Sequence, residues 1–111
     1  PATDFFFGDL DLNEYLIRDK AATFIIRVAG DSMMTTIASG DRVIVDRSIS
    51  PQHGHIIIAI LDGELTVKRL IRTRQGVTLA ADNPAYPDLQ LSDWAEASCW
   101  GVVTWILHAA I

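Results

Sequence analysis

The sequence predicts one mostly β domain of twisted, partly closed sheets with one or two short helices. Three observations carry that expectation. Short runs rich in β-branched and aromatic residues recur along the chain, as in Thr23-Phe24-Ile25-Ile26-Arg27-Val28, Arg42-Val43-Ile44-Val45-Asp46 and the stretch from Trp100 to Leu107. Turn formers separate these runs, among them Gly40-Asp41, Asp62-Gly63 and Arg74-Gln75-Gly76. The 111 residues, 50% of them hydrophobic, suffice for one core and are too few for two.

Residues 1–10 contain Phe5-Phe6-Phe7 and are expected to form an arm that docks on the domain or on a second subunit. Residues 11–111 are then the single domain. Asp11-Leu12-Asn13-Glu14 has the form of a capping box, with Asp11 as N-cap and Glu14 reaching back. Leu12, Tyr15 and Leu16 share a face, which predicts a short, packed helix ending near Asp19. The strand from Thr23 to Val28 delivers the chain to Gly30-Asp31-Ser32. Met33-Met34 opens a segment of helical character that fills the core and ends at Gly40-Asp41.

Residues 42–46 alternate in the strand manner, and residues 48–54 are a turn-rich connection with Pro51 and Gly54. His55 to Leu61 is a nearly continuous apolar strand, expected to be buried on both faces. Asp62-Gly63 is a two-residue hairpin signal. The return strand, Glu64 to Thr73, has Thr66, Lys68 and Leu70 on one face and Leu65, Val67 and Arg69 on the other, with Arg69 and Arg72 toward solvent. Val77 to Ala81 is a short strand, residues 82–87 are a loop of turn formers, and Gln90 to Ala97 is weakly amphipathic. In the final strand Val102, Thr104 and Ile106 alternate against Val103, Trp105 and Leu107. Both faces are apolar, so one is expected to cover the core and the other a partner subunit.

A formal net charge of −5 makes the chain ill suited to gripping a phosphate backbone, so no direct specific nucleic-acid binding is expected. No apolar run approaches the roughly 18 residues that span a bilayer, so no membrane role is expected. Cys99 is the single cysteine, which fits a cytoplasmic protein without a disulfide framework. There is no phosphate-binding glycine motif. His53 and His55 share a strand face but have no cysteine or carboxylate cluster beside them. No metal and no cofactor are therefore expected. His53, His55 and His108 are available for a Ser-His-Asp triad, yet no Gly-x-Ser-x-Gly elbow or other motif links them to Ser32. Lys68, Arg69, Arg72 and Arg74 read as the solvated face of a hairpin.

Two stretches carry chemistry: Ala29-Gly30-Asp31-Ser32-Met33, and Leu65-Thr66-Val67-Lys68-Arg69-Leu70. A serine hydroxyl needs a neighbouring base to become a nucleophile. A lysine serves as that base only when neutral, and an apolar surround favours its neutral form. Val67, Leu70 and the Ile56-Ile57-Ile58-Ala59-Ile60 run are candidates for that surround. The backbone amides of Ser32 and Met33 are candidates for an oxyanion hole. The structural alternative is that Ser32 ends a strand at a turn, while Lys68 packs its stem and keeps its ammonium in water.

The succession Val28-Ala29-Gly30-Asp31-Ser32-Met33, Gly40-Asp41-Arg42-Val43-Ile44-Val45-Asp46 and Asp62-Gly63-Glu64-Leu65-Thr66-Val67-Lys68-Arg69-Leu70 resembles the LexA/UmuD family of self-cleaving serine peptidases. Asp11-Leu12-Asn13, Asp82-Asn83-Pro84-Ala85-Tyr86 and Gly101-Val102-Val103 extend the likeness over nearly the whole chain, and it leans toward the SOS-mutagenesis branch. Two departures stand out: a segment between Met33 and Gly40 one residue short, and a carboxyl end without basic residues. The resemblance implies the LexA/UmuD carboxyl-terminal fold, with Ser32 as nucleophile and Lys68 as general base. It implies self-cleavage of an upstream arm, assisted by a RecA filament on single-stranded DNA. It further implies a homodimer that joins a UmuC-like Y-family DNA polymerase for translesion synthesis. Ala29-Gly30 is tied too closely to Ser32 to enter its site, so the chain is expected to be the processed product, with residues 1–10 the arm left behind. The alternatives are the carboxyl-terminal half of a LexA-like or phage repressor, and a pseudo-peptidase used only for dimerisation.

Overall fold

In the computed structural model, which describes residues 8–95 and 98–111, antiparallel strands form one open sheet. The strands are β1 (Thr23–Arg27), β2 (Arg42–Asp46), β3 (Ile56–Leu61), β4 (Glu64–Thr73), β5 (Gly76–Ala80), β6 (Leu89–Leu91) and β7 (Cys99–Leu107). Across the sheet they run β1-β2-β7-β3-β4-β5-β6, so β1 and β6 are its edges. The mostly β expectation holds, and the fold is consistent with the LexA/UmuD carboxyl-terminal architecture. Asp62 and Gly63 both take the left-handed conformation, at φ 50° and 79°, as the tight β3–β4 turn requires.

The core lies on both faces of the sheet. One cluster contains Val28, Met33, Ile37, Val43, Val45 and Ile58; the other contains Ile57, Ala59, Leu70, Val77, Leu79 and Val102. Adjacent residues Ile57 and Ile58 serve opposite clusters, which is why β3 reads as continuously apolar. Register shifts against β7 fall between Ile44 and Val45 and between Ile58 and Ala59. Such irregularities bend a strand and increase its twist.

The first shift overturns the simple alternation expected of β7. Val103 and Ile106 both pack on the first cluster, while the Thr104 hydroxyl between them donates to the Ile44 carbonyl at 3.3 Å. Gly101 marks the closest approach: a Cβ there would lie 2.5 Å from Val45 Cγ1.

Other expectations are corrected. Helix α1 spans only Leu12–Leu16, and Asp11 caps it by accepting from the Asn13 amide at 3.0 Å. Its apolar face is not packed away: Leu12 and Tyr15 remain 57% and 60% exposed. Five residues make too short a helix to lay a full stripe on the sheet, although Tyr15 meets the Trp105 ring at 5.3 Å between centroids. The segment after Met33 is a series of turns rather than a helix. Leu89–Leu91, inside and just before the weakly amphipathic stretch, is an edge strand too short to show a period. The Phe5-Phe6-Phe7 arm lies outside the described residues.

Candidate active site

The Ser32 turn begins where β1 ends. Gly30, at φ 88°, reverses the chain in a conformation that residues with a Cβ rarely adopt. The loop is closed at its base by Val28 N donating to Asp41 O at 2.8 Å and Gly40 N donating to Val28 O at 2.7 Å. Met33 and Ile37, both essentially inaccessible, anchor its interior in the first core cluster. Met33 therefore fills the core as expected, whereas Met34 is exposed. The base is braced further by the buried Asp41 carboxylate, which accepts from the Ala38 amide at 2.8 Å and meets His108 Nδ1 at 2.6 Å. The His108 hydrogen bond, followed by that amide, holds the Asp41 carboxyl below the ordinary carboxylate range.

Ser32 is half-buried at the wall of a cleft of about 260 Å³. Ile26, Val28, Ala29, Ile58, Leu65 and Val67 make most of the lining apolar, and Arg27 and Thr66 add polar groups. The sheet topology explains why a cleft exists here. β3 covers one edge of β4 from Glu64 to Arg69, but β5 pairs with β4 only from Arg69 onward. Residues 64–68 thus have an edge that neither neighbouring strand covers. The end of β1 borders the same cleft, so the space is the seam of a sheet that curls without closing.

Lys68 is half-buried on β4, directly opposite Ile57. Facing pairs share a side of the sheet, so the lysine leaves β4 on the side of Ile57 and Leu70. Of the expected apolar surround, Ile57 and Leu70 lie on that side, whereas Val67, Ile56 and Ile58 belong to the opposite cluster. Val67, one residue earlier, is the side chain that lines the Ser32 cleft. Among the described residues no hydrogen bond joins Ser32 to Lys68, and Lys68 has no carboxylate partner. The structure brings the two segments together without closing the pair. The amides of Ser32 and Met33 donate to no carbonyl among the described residues.

The largest departure from the sequence reading lies beside the serine. Arg69 does not face solvent: its guanidinium grips Asp82 through Nε at 2.9 Å and a terminal nitrogen at 2.8 Å, and donates to the Gly54 carbonyl at 2.7 Å. Asp82 also accepts from the Thr36 hydroxyl at 2.6 Å. The Arg69 hydrogen bonds hold the Asp82 carboxyl below its usual range, and Asp82 in turn raises Arg69. Asn83 binds the serine turn itself, its amide to Ser32 O at 3.0 Å and its side chain to Asp31 O at 2.9 Å. The Tyr86 hydroxyl donates to the Asp31 carboxylate, which pushes the phenol above its ordinary pKa. The sequence signal for this brace was the Asp82-Asn83-Pro84-Ala85-Tyr86 block, whose composition alone indicates only a loop.

His53 and His55 are occupied locally. Their Nδ1 atoms accept from the Arg72 amide at 2.9 Å and the Gln52 amide at 3.0 Å. No helix among the described residues is long and apolar enough to cross a membrane.

The serine turn thus faces an open strand edge in an apolar seam, where an extended peptide can pair. Comparison with known proteins agrees: residues 2–104 match the Peptidase S24-like model, and the chain belongs to that family of self-cleaving serine peptidases. It is similar to Protein ImpA of Escherichia coli, 45% identical over 111 aligned residues covering 97% of this chain and 74% of the relative. Protein SamA of Salmonella typhimurium strain LT2 is 46% identical over 109 residues, 97% of this chain and 75% of the relative. A LexA repressor from Syntrophotalea carbinolica is 38% identical over 86 residues, 77% of this chain and 43% of the relative.

Proposed function

We propose that the chain carries a Ser-Lys pair, with Ser32 as nucleophile and Lys68 as general base, that cuts an arm upstream of the domain in its own chain. The observation that carries this reading is the position of Ser32 at an apolar cleft beside the uncovered edge of β4. An extended segment laid along residues 64–68 adds main-chain hydrogen bonds to that edge and delivers a carbonyl to the serine. Ser32 Oγ attacks the carbonyl carbon, and the hydroxyl proton passes to the Lys68 amine. The oxyanion is met by the Ser32 and Met33 amides. The C–N bond then breaks, and Lys68 returns the proton to the departing amine. Water, deprotonated by the same lysine, hydrolyses the acyl-serine and restores Ser32. Lys68 reaches the hydroxyl by turning its flexible stem across the uncovered edge. Catalytic hydrogen bonds commonly tighten only when substrate is bound.

The processed chain then acts in the cytosol as a homodimer and accessory subunit of a UmuC-like Y-family polymerase in SOS mutagenesis, after RecA-assisted cleavage. An outer apolar face supports the dimer. Ile25 and Trp105 flank the buried Ile44 across β1, β2 and β7 and are 62% and 39% exposed, with Tyr15 packed on the Trp105 ring. The likeness to a LexA repressor favours a second reading, the carboxyl-terminal domain of a repressor. A short upstream arm in the full gene selects the first reading, and a helix-turn-helix domain selects the second.

The test follows self-cleavage of the chain joined to its gene-encoded upstream segment, at mildly alkaline pH and separately with RecA filaments. Wild-type cleavage, lost in Ser32→Ala and in Lys68→Ala, is the expected result. An intact wild type under both conditions overturns the peptidase reading.

A further inference from the structure

Asn83 holds two consecutive carbonyls of the serine turn. Its side-chain Nδ2 donates to Asp31 O at 2.9 Å and its backbone amide donates to Ser32 O at 3.0 Å. In a planar trans peptide the carbonyl and the following N–H point in opposite directions. The peptide of Asp31 O contains Ser32 N, and the peptide of Ser32 O contains Met33 N. One residue therefore fixes both peptide planes and aims both N–H groups away from its own loop. Neither of these amides donates to a carbonyl among the described residues.

Asn83 is itself braced. Its Oδ1 accepts from the Ala85 amide at 2.9 Å, which sets the orientation of the side-chain amide. Its carbonyl accepts from the Tyr86 amide at 3.1 Å. The preceding residue, Asp82, is clamped by Arg69 and Thr36, and Thr36 belongs to the serine loop. The loop at 82–86 thus grips the serine turn from one side and β4 from the other.

We propose that Asn83 is a positioning residue that preorganises the oxyanion hole, by orienting the Ser32 and Met33 amides through the carbonyls that oppose them. This rests on the peptidase reading for its catalytic consequence, but not for its geometry. Electrostatic stabilisation of an oxyanion depends on donors that need no reorganisation during reaction. Loss of the side-chain bond frees the Asp31 carbonyl, so the Asp31–Ser32 peptide plane rocks and the Ser32 N–H loses its aim, while the backbone amide still holds Ser32 O.

Asn83→Asp is the discriminating variant. It keeps the oxygen that accepts from Ala85, and it replaces the donor to Asp31 O with a charged carboxylate oxygen that repels that carbonyl; Asn83→Ala controls for the added charge. Asn83→Ala deletes both side-chain bonds and leaves the backbone amide on Ser32. Two measurements are made on each. The first is 15N relaxation and hydrogen exchange of the Ser32 and Met33 amides in the 111-residue chain. The second is the first-order self-cleavage rate of the arm-bearing chain, with thermal midpoints recorded in parallel. The expected result is larger 15N motion of the Ser32 amide, confined to the serine turn, and a cleavage rate lowered about tenfold or more in Asn83→Asp, with the midpoint little changed. An unaltered Ser32 amide overturns the proposal. So does an unaltered rate beside an active wild type, or a rate loss that only tracks a lowered midpoint. If the wild-type precursor does not cleave, the Ser-Lys reading fails, and the amide measurement still decides whether Asn83 orients the turn.

Discussion

The Arg69–Asp82 pair is a bidentate ion pair beside the serine turn, and replacing Asp82 with asparagine tests it without changing shape. The side chains of Arg69 and Asp82 are 31% and 16% exposed, so the pair lies between the surface and buried regimes. Asp82→Asn removes the charge, leaves one oxygen for Arg69 and turns an amide toward a guanidinium that cannot accept. Charge-assisted hydrogen bonds contribute about 1.5–3 kcal/mol each where they are dry, and partial exposure reduces that. We expect a loss of about 2 kcal/mol for the bidentate contact as a whole. At about 2.1 cal/mol/K per residue, 111 residues give an unfolding entropy of about 0.23 kcal/mol/K. The midpoint should therefore fall by about 9 °C at pH 7.

The pH dependence adds a second signature. Arg69, with Thr36 in support, holds the folded-state Asp82 carboxyl below its unfolded value. The carboxylate's contribution is complete above the unfolded pKa, about 3.9, and is lost as pH falls through the folded value. Wild type should lose stability on acidification from pH 5 toward 3 more steeply than Asp82→Asn, so the two curves converge. Circular-dichroism melts over that range measure it. A midpoint within 2 °C of wild type at pH 7, together with parallel acid profiles, would refute the reasoning.

Two further outcomes follow from the geometry. Gly101→Ala puts a methyl group 2.5 Å from Val45 Cγ1 at the β2–β7 crossing. It should destabilise by about 1–3 kcal/mol, read as a lowered urea midpoint with unchanged slope. Ile25→Glu charges the exposed residue across Ile44 from Trp105, so under the proposed dimer it should shift sedimentation toward monomer while the thermal midpoint at low concentration changes little. A dimer that survives this change is held by another surface.

Much of the strand framework was legible because its signals are local. The Asp62-Gly63 turn fixes the β3–β4 hairpin, and the Ile56-Ile57-Ile58 run announces a strand buried on both faces. What escaped was nonlocal. The alternation in β7 fails at Thr104 because register against β2 shifts there, and no residue in β7 encodes a shift that its partner imposes. Arg69 reads as solvated from its own strand, and its partners lie far along the chain, Asp82 thirteen residues on and Gly54 fifteen residues back. Leu12 and Tyr15 spell an amphipathic helix, but five residues do not reach the core. The candidate site divides in the same way. Ser32 and Lys68 stand out as residue types in a pattern, whereas the bonds from Asn83 that shape the serine turn depend on a loop returning from β5.

The incomplete closure of the sheet and the candidate chemistry have one cause. A closed barrel would pair every edge and leave no backbone donors or acceptors for a peptide. Here β5 meets β4 only from Arg69 onward, and the freed half of β4 lines one cleft with the end of β1. The residue at which pairing resumes is the one that clamps Asp82, so the strand leaves off pairing where the loop bearing Asn83 takes hold. The same junction marks the end of the open edge and anchors the loop that orients the serine turn. A change at Arg69 should therefore affect both at once, whereas a change at Asn83 should disturb the turn alone.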